Sequence, residues 1–190
     1  IMGIMNTYYA NANISFFDCG TINYIDNSSY YNFDQSQESA VCGANDVANV
    51  INIYYFNSVG NGSSSYCGYA YYPGGPDRVI MDNSCALNGS TLTHELGHYL
   101  SLYHTHNGST GSNPELVNGS NCTTAGDQLC DTPADPTLSN STVNTSCVYT
   151  GTATDPNGQA YVPDPTNIMS YSRKSCRTFL STGQYNRTNY

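Results

Sequence analysis

The sequence predicts an α/β (α+β) fold in two lobes: a twisted N-terminal sheet with helices, then an irregular C-terminal half that ends in a helix. Three observations predict it. Val50–Phe56 is dense in β-branched and aromatic residues, as a half-buried strand is, and shorter strand-like runs flank it. Residues 90–102 carry the spacing of a helix. Residues 107–166 are mostly Asn, Gly, Ser, Thr, Pro and Asp with little periodicity, a length that a compact domain holds only with crosslinks or a bound cation.

Taken in order, residues 1–10 read as the end of a helix and Ile14–Asp18 as an alternating strand. Ser39–Ala48 has helix-compatible spacing. Asn57–Ser65 is a Gly/Ser-rich loop after the main strand. Tyr69–Tyr72 is a short edge strand stopped by Pro73-Gly74-Gly75-Pro76, and Arg78–Met81 is a further strand. The central helix starts near Ser90 or Thr91, either of which can cap it, and runs to about Leu102. A last helix runs from Thr182 to the terminus. Residues 1–190 are expected to form one domain, with an upper lobe of about 1–104 and a lower lobe of about 105–190.

Charged residues make up 10% of the chain and sum to −9, so nothing supplies the basic stripe that nucleic acid requires. No apolar run approaches the ~18–20 residues of a membrane span. The opening Ile1-Met2-Gly3-Ile4-Met5 has no basic region before an apolar one, so a mature domain cut from a longer precursor is expected. Eight cysteines with no CxxC spacing favour disulfides over a zinc ribbon, hence an extracellular location. Sequential pairing gives Cys19–Cys42, Cys67–Cys85 and Cys122–Cys130, with Cys122–Cys147 open as an alternative to the last.

The chemistry-bearing stretch is His94-Glu95-Leu96-Gly97-His98, followed by His104. Two histidines four apart lie one turn apart on one helix face, close enough for both Nε2 atoms to reach a single zinc ion. Glu95 is not needed as a ligand and is free to act as base on a water activated by the metal. His104 supplies a third ligand if the helix stops and the chain turns back, which leaves the fourth position open, as in catalytic sites. Ser101 stands where a glycine is usual for that turn, so a serine with φ > 0 is expected there.

Asn167-Ile168-Met169-Ser170-Tyr171, far downstream, resembles the Met-turn beneath the zinc of metzincin peptidases. Together with Gly126-Asp127-Gln128-Leu129-Cys130-Asp131-Thr132-Pro133-Ala134 and the histidines, it makes the chain resemble the pappalysin family of metzincins, in particular a bacterial, ulilysin-like branch. The resemblance implies the two-lobed metzincin fold, with Met169 as floor of the site and Tyr171 as a hydrogen-bond donor to the tetrahedral intermediate. It implies a Cys147–Cys176 disulfide. It also implies calcium held by Asp127, the Cys130 carbonyl and Thr132, oxygen ligands that suit this ion. Glu115 is a further candidate, and His106 is read as lining the cleft.

Arg173, Lys174 and Arg177 are three of only five basic residues. Where ulilysin-like enzymes that cut before Arg or Lys carry an acid, this chain has Lys174-Ser175, so Arg173, Lys174 and Ser175 are expected to line an S1′ pocket that disfavours basic P1′ residues and accepts acidic or polar ones. The resemblance further implies protein or peptide substrates and an inhibitory prosegment that is removed. The expectation is a secreted, monomeric zinc endopeptidase. The rival readings are a non-catalytic binding or adhesion module that keeps zinc as a staple, and a zinc amidase of cell-wall peptides.

Overall fold

The computed structural model describes residues 1–189, and its order of elements is mixed α/β. Helix α1 is Met2–Tyr9, extended by a 3₁₀ turn to Ala12. Strand β1 is Asn32–Asp34, helix α2 Glu38–Gly43, strand β2 Asn52–Phe56 and strand β3 Ser58–Gly60. Strands β4 (Ser65–Tyr66), β5 (Gly68–Ala70) and β6 (Arg78–Asp82) follow, then helix α3 (Asn83–Ala86) and helix α4 (Ser90–Tyr99). The last element is helix α5, Thr182–Arg187.

Two three-stranded sheets form, ordered β1-β3-β4 and β2-β6-β5. The pairs β1–β3 and β2–β6 are parallel, while β3–β4 and β5–β6 are antiparallel. The chain passes between the sheets at Asn57 and at Cys67. Alternation along β6 assigns its side chains to two cores. Val79 and Met81 join Met5, Tyr9, Leu92, Leu96, Leu102, Ile168, Met169 and Leu180, whereas Ile80 joins Phe33, Val41, Cys42, Phe56 and Val59. Both faces of β6 are therefore covered, and α4 lies against the first core with the apolar side of the metal motif inward.

Several expectations are corrected. Ile14–Asp18 forms no strand, because the Asn6 side chain takes both backbone groups of Phe16 that a neighbouring strand would bind. The Gly/Ser loop at 57–65 contains β3, made possible by parallel pairing to β1. The strand expected at Tyr69–Tyr72 is Gly68–Ala70. Helix α4 is capped by neither Ser90 nor Thr91 but by Asn88, whose Oδ1 accepts from both of their backbone N–H groups at 3.0 and 2.8 Å. The helix ends at Tyr99 rather than Leu102, and α5 ends at Arg187; Tyr190 lies outside the described residues.

Cys67–Cys85, Cys122–Cys130 and Cys147–Cys176 are disulfides, and Cys19–Cys42 is not. Cys42 is sealed within the second core, while Cys19 is exposed in a segment with no regular structure, so the two thiols have no common face. From Ser101 to Ser181 no helix or strand forms, only isolated bridges such as Val143–Tyr149 and Asn167–Phe179. Helix α5 grips this half from one side. Its Gln184 exchanges amide hydrogen bonds with Asn167 at 2.9 and 3.1 Å, and Arg187 donates to the carbonyls of Asp127 and Gln128.

Candidate metal centre

Helix α4 sets the geometry of the site. His94 and His98 project from one face, and the chain then reverses through a Schellman motif: Leu102 N–H donates to Gly97 O at 2.8 Å and Ser101 N–H to His98 O at 3.0 Å. Ser101 occupies the left-handed position with φ +72°, a conformation that costs a non-glycine residue roughly 1–2 kcal/mol. Leu102 is buried against the first core and holds the turn closed. This reversal brings His104 back over the helix.

His94 Nε2 and His98 Nε2 lie 3.0 and 2.9 Å from His104 Nε2. His94 Nδ1 donates to Ile168 O at 2.7 Å and His98 Nδ1 donates to Leu102 O at 2.8 Å, so both Nε2 atoms present lone pairs inward. Three such atoms facing one point repel unless a cation lies between them. Ligand bonds of about 2.0–2.1 Å would set tetrahedral nitrogens about 3.3 Å apart, close to the separations observed. Burial pushes His98 down, and burial together with repulsion from neighbouring histidines pushes His94 well down and His104 to about 2, so all three are neutral and able to ligate near pH 7. The donor set fits zinc. Among the described residues no other group of three His, Cys, Asp or Glu ligand atoms converges in this way.

Glu95 is buried and makes no hydrogen bond among the described residues, and burial raises its carboxyl to about 8 against the lowering influence of Arg177. A bound divalent cation would pull it down further. Below the helix, Met169 packs so tightly under Gly97 that a Cβ there would stand 2.4 Å from Met169 Sδ. Only glycine lets the turn approach the helix this closely. The turn itself is fixed by Asn167, whose Oδ1 accepts from Met169 N–H at 2.8 Å.

Tyr171 is half exposed, and its ring centroid lies 4.6 Å from that of His104 and 4.4 Å from that of His106. Its hydroxyl has no partner among the described residues. His106 stacks on His104 with ring centroids 4.8 Å apart and does not join the three converging nitrogens.

The segment after the Met-turn is less uniform than its composition. Arg173 donates to Val143 O and Asn140 O, both at 2.6 Å, and so serves the loop beside it. Lys174 Nζ lies against the Cys67–Cys85 sulfurs, and Ser175 is exposed. Arg177 instead turns inward, beneath Ser170. Three basic residues within a run of five give no sign in the sequence of which one points inward. Tyr72, whose Oη lies 3.3 Å from His98 Nδ1, gave no signal among eighteen tyrosines.

Asp127 and Thr132 form a second polar focus. Thr132 Oγ1 donates to Asp127 Oδ1 at 2.7 Å, while Asp127 Oδ2 and Glu115 Oε2 are enclosed without partners. Burial, and for Glu115 the charge of Asp127, raises these carboxyls to about 6 and about 8. Cys130 lies in the same turn, tied to Cys122.

An extracellular metalloprotease of Podospora anserina is 31% identical over 156 residues, covering 73% of this chain and 45% of that relative. One of Arthroderma benhamiae is 29% identical over 72% of this chain and 45% of its own length, and one of Verticillium alfalfae 34% identical over 62% and 41%. The chain thus spans less than half the length of these relatives. The family model for pregnancy-associated plasma protein-A, peptidase M43, matches residues 34–189, and the chain belongs to this metallopeptidase family.

Proposed function

We propose that this chain is the catalytic domain of a secreted zinc endopeptidase, with His94, His98 and His104 as metal ligands and Glu95 as general base. The observation that carries the reading is the convergence of three Nε2 atoms, with the buried Glu95 following the first of them on the same helix. Zinc held there supplies Lewis-acid polarisation of the scissile carbonyl and acidifies a water. Glu95 takes the proton of the attacking water and delivers it to the leaving amine. The free Tyr171 hydroxyl donates to the developing oxyanion. Met169 supports the floor under α4 without ligating.

Glu95→Ala tests this reading. The variant is expected to bind one equivalent of zinc by elemental analysis and to lose about 10²–10⁴-fold or more in peptide hydrolysis. Unchanged proteolysis would refute it. Casein zymography with and without a chelator separates this function from a zinc-stapled binding module, and peptidoglycan hydrolysis without proteolysis would mark an amidase.

The finer points of the reading have separate supports. Secretion is supported by three disulfides, by relatives named extracellular, and by the absence of any helix among the described residues long and apolar enough to cross a membrane. Calcium at Asp127, the Cys130 carbonyl and Thr132, with Glu115 adjoining, is supported by two enclosed carboxylate oxygens that lack partners. The ulilysin-like placement rests on the 126–134 segment, since the matching relatives named above are fungal. The single-domain reading, with its cleft between lobes near residue 104, is supported by the change of architecture after α4. The removed prosegment and the monomeric state rest on the family resemblance. Ser175 remains a candidate for the S1′ wall, with Arg173 and Lys174 already engaged.

A further inference from the structure

Arg177 forms no ion pair among the described residues, although the Glu95 carboxyl lies near enough to feel its charge. The residue is 6% exposed, its Nε is enclosed without a partner, and its one hydrogen bond runs from Nη1 to Ser170 O at 3.5 Å. Nη2 donates to no group among the described residues. Neither of the ion pairs among the described residues involves it, since both join Arg78 to Glu38 and Asp46. A guanidinium has five N–H donors in a rigid fork; here four have no acceptor among the described residues, and of these the Nε–H is enclosed. Burying such a group is strongly unfavourable unless an anion completes it.

Its position indicates which anion. Ser170, which anchors it, stands between the floor residue Met169 and Tyr171. Through Ser170 O the guanidinium is tied to the turn whose Met169 packs under Gly97 and whose Tyr171 ring lies 4.6 Å from that of His104, and its charge is felt at Glu95, so Arg177 lies close to the centre. Glu95 hands its proton to the leaving amine, which is the nitrogen of the P1′ residue. A cation close to Glu95 therefore lies toward the primed side of the bound peptide. A planar fork of free donors matches a carboxylate in bidentate geometry.

We propose that Arg177 is a specificity-determining residue that receives the carboxylate of an Asp or Glu at P1′, so that the enzyme cleaves on the amino side of acidic residues. The inference rests on the peptidase reading above. A basic P1′ side chain would place cation against cation at the same point and is rejected. A carboxylate could also come from a free C-terminus one residue after the cut, and the test separates these two sources.

The test uses quenched fluorescent peptides, amidated at the C-terminus and identical except for Glu, Asp, Gln, Ala or Arg at P1′. With the zinc-loaded enzyme, kcat/KM for Glu is expected to exceed that for its isostere Gln by about tenfold or more, with Arg the poorest. Arg177→Gln should bring the Glu/Gln ratio to about one, and Arg177→Lys should keep part of it. These ratios are taken within one protein, so partial loss of folded material does not move them; if neither variant folds, the wild-type ratio decides. Equilibrium binding of the same peptides to Glu95→Ala protein gives an independent reading, in which the Glu peptide binds about tenfold more tightly than the Gln peptide. Equal cleavage of Glu and Gln peptides overturns the inference and leaves the peptidase reading intact. Preference for a P1′ Ala peptide with a free α-carboxylate over the amidated Glu peptide also overturns it. Failure of the zinc-loaded protein to cleave any peptide overturns both.

Discussion

Between Asn32 and Tyr99 the chain satisfies its backbone through two sheets and three helices, whereas between Ser101 and Ser181 it does so through side chains. Asp135 Oδ1 accepts from the N–H groups of Thr137 and Leu138, Asn144 Oδ1 from Ser146 and Val148, and Asp155 from Val117, Asn157 and Gln159. Each carboxylate or amide stands in for the carbonyl a neighbouring strand would offer. The apolar content differs accordingly. The first region shares one core of ten buried residues with the Met-turn, while the second has a cluster of only Leu138, Val143 and Cys176 of its own. The candidate metal site draws His94 and His98 from the first region, His104 from just beyond its edge, and Met169 from the second. Burial therefore secures the histidines of the helix, and crosslinks and polar turns secure the segment packed under it.

The contrast is most directly broken by truncating each core. Leu96→Ala, in the large core, is expected to cost about 3–5 kcal/mol by denaturant unfolding, and Leu138→Ala about 2 kcal/mol. Equal costs would mean that the second region depends on apolar burial as much as the first. Next in size is the Cys147–Cys176 bridge, which closes a span of 29 residues. Replacing both cysteines by serine should cost about 3–4 kcal/mol, read from the same transition.

A smaller effect is expected from acidity. Glu115 and Asp127 have folded-state pKa values raised above their unfolded ones, so the folded state binds more protons. Their contribution is fully present below about pH 4 and is lost as pH rises through about 6 and then about 8. In calcium-free buffer Tm should therefore fall between pH 5 and 8, measured against a Glu115→Gln control. Added calcium should restore it most at pH 8 and little at pH 5. The smallest effect sharpens the boundary between the regions: Ser101→Gly should stabilise by up to about 1 kcal/mol, because glycine adopts φ +72° without strain.

Much of the first region and of the site was legible because local chemistry determined it. The spacing of His94, His98 and His104, the β-branched run at 50–56 and the need for a left-handed residue at Ser101 all follow from short-range rules. Tertiary partners overrode those rules elsewhere. Ile14–Asp18 alternates as a strand does, yet the Asn6 amide occupies the place of the neighbour. The cap of α4 came from Asn88, two residues before the expected Ser90, because its side chain reaches two N–H groups at once. Cys19 and Cys42 were next to each other in the cysteine order, but one is a core residue. In the second region composition predicted irregularity, but which Asp or Asn would cap which turn is decided by loop paths that no periodicity encodes. Arg177 was hidden for a similar reason, since only the fold distinguishes it from Arg173 and Lys174.

Helix α5 makes no contact with the three Nε2 atoms, yet it holds both ends of what lies beneath them. Gln184 clasps the Asn167 that shapes the Met-turn, and Arg187 and Gly183 hold the 127–131 segment. A cut in the short stretch between Cys176 and Ser181 would leave every metal donor and the base in the chain and still release that clasp. The loss would be visible as a fall in zinc affinity in a protein whose histidines are all intact.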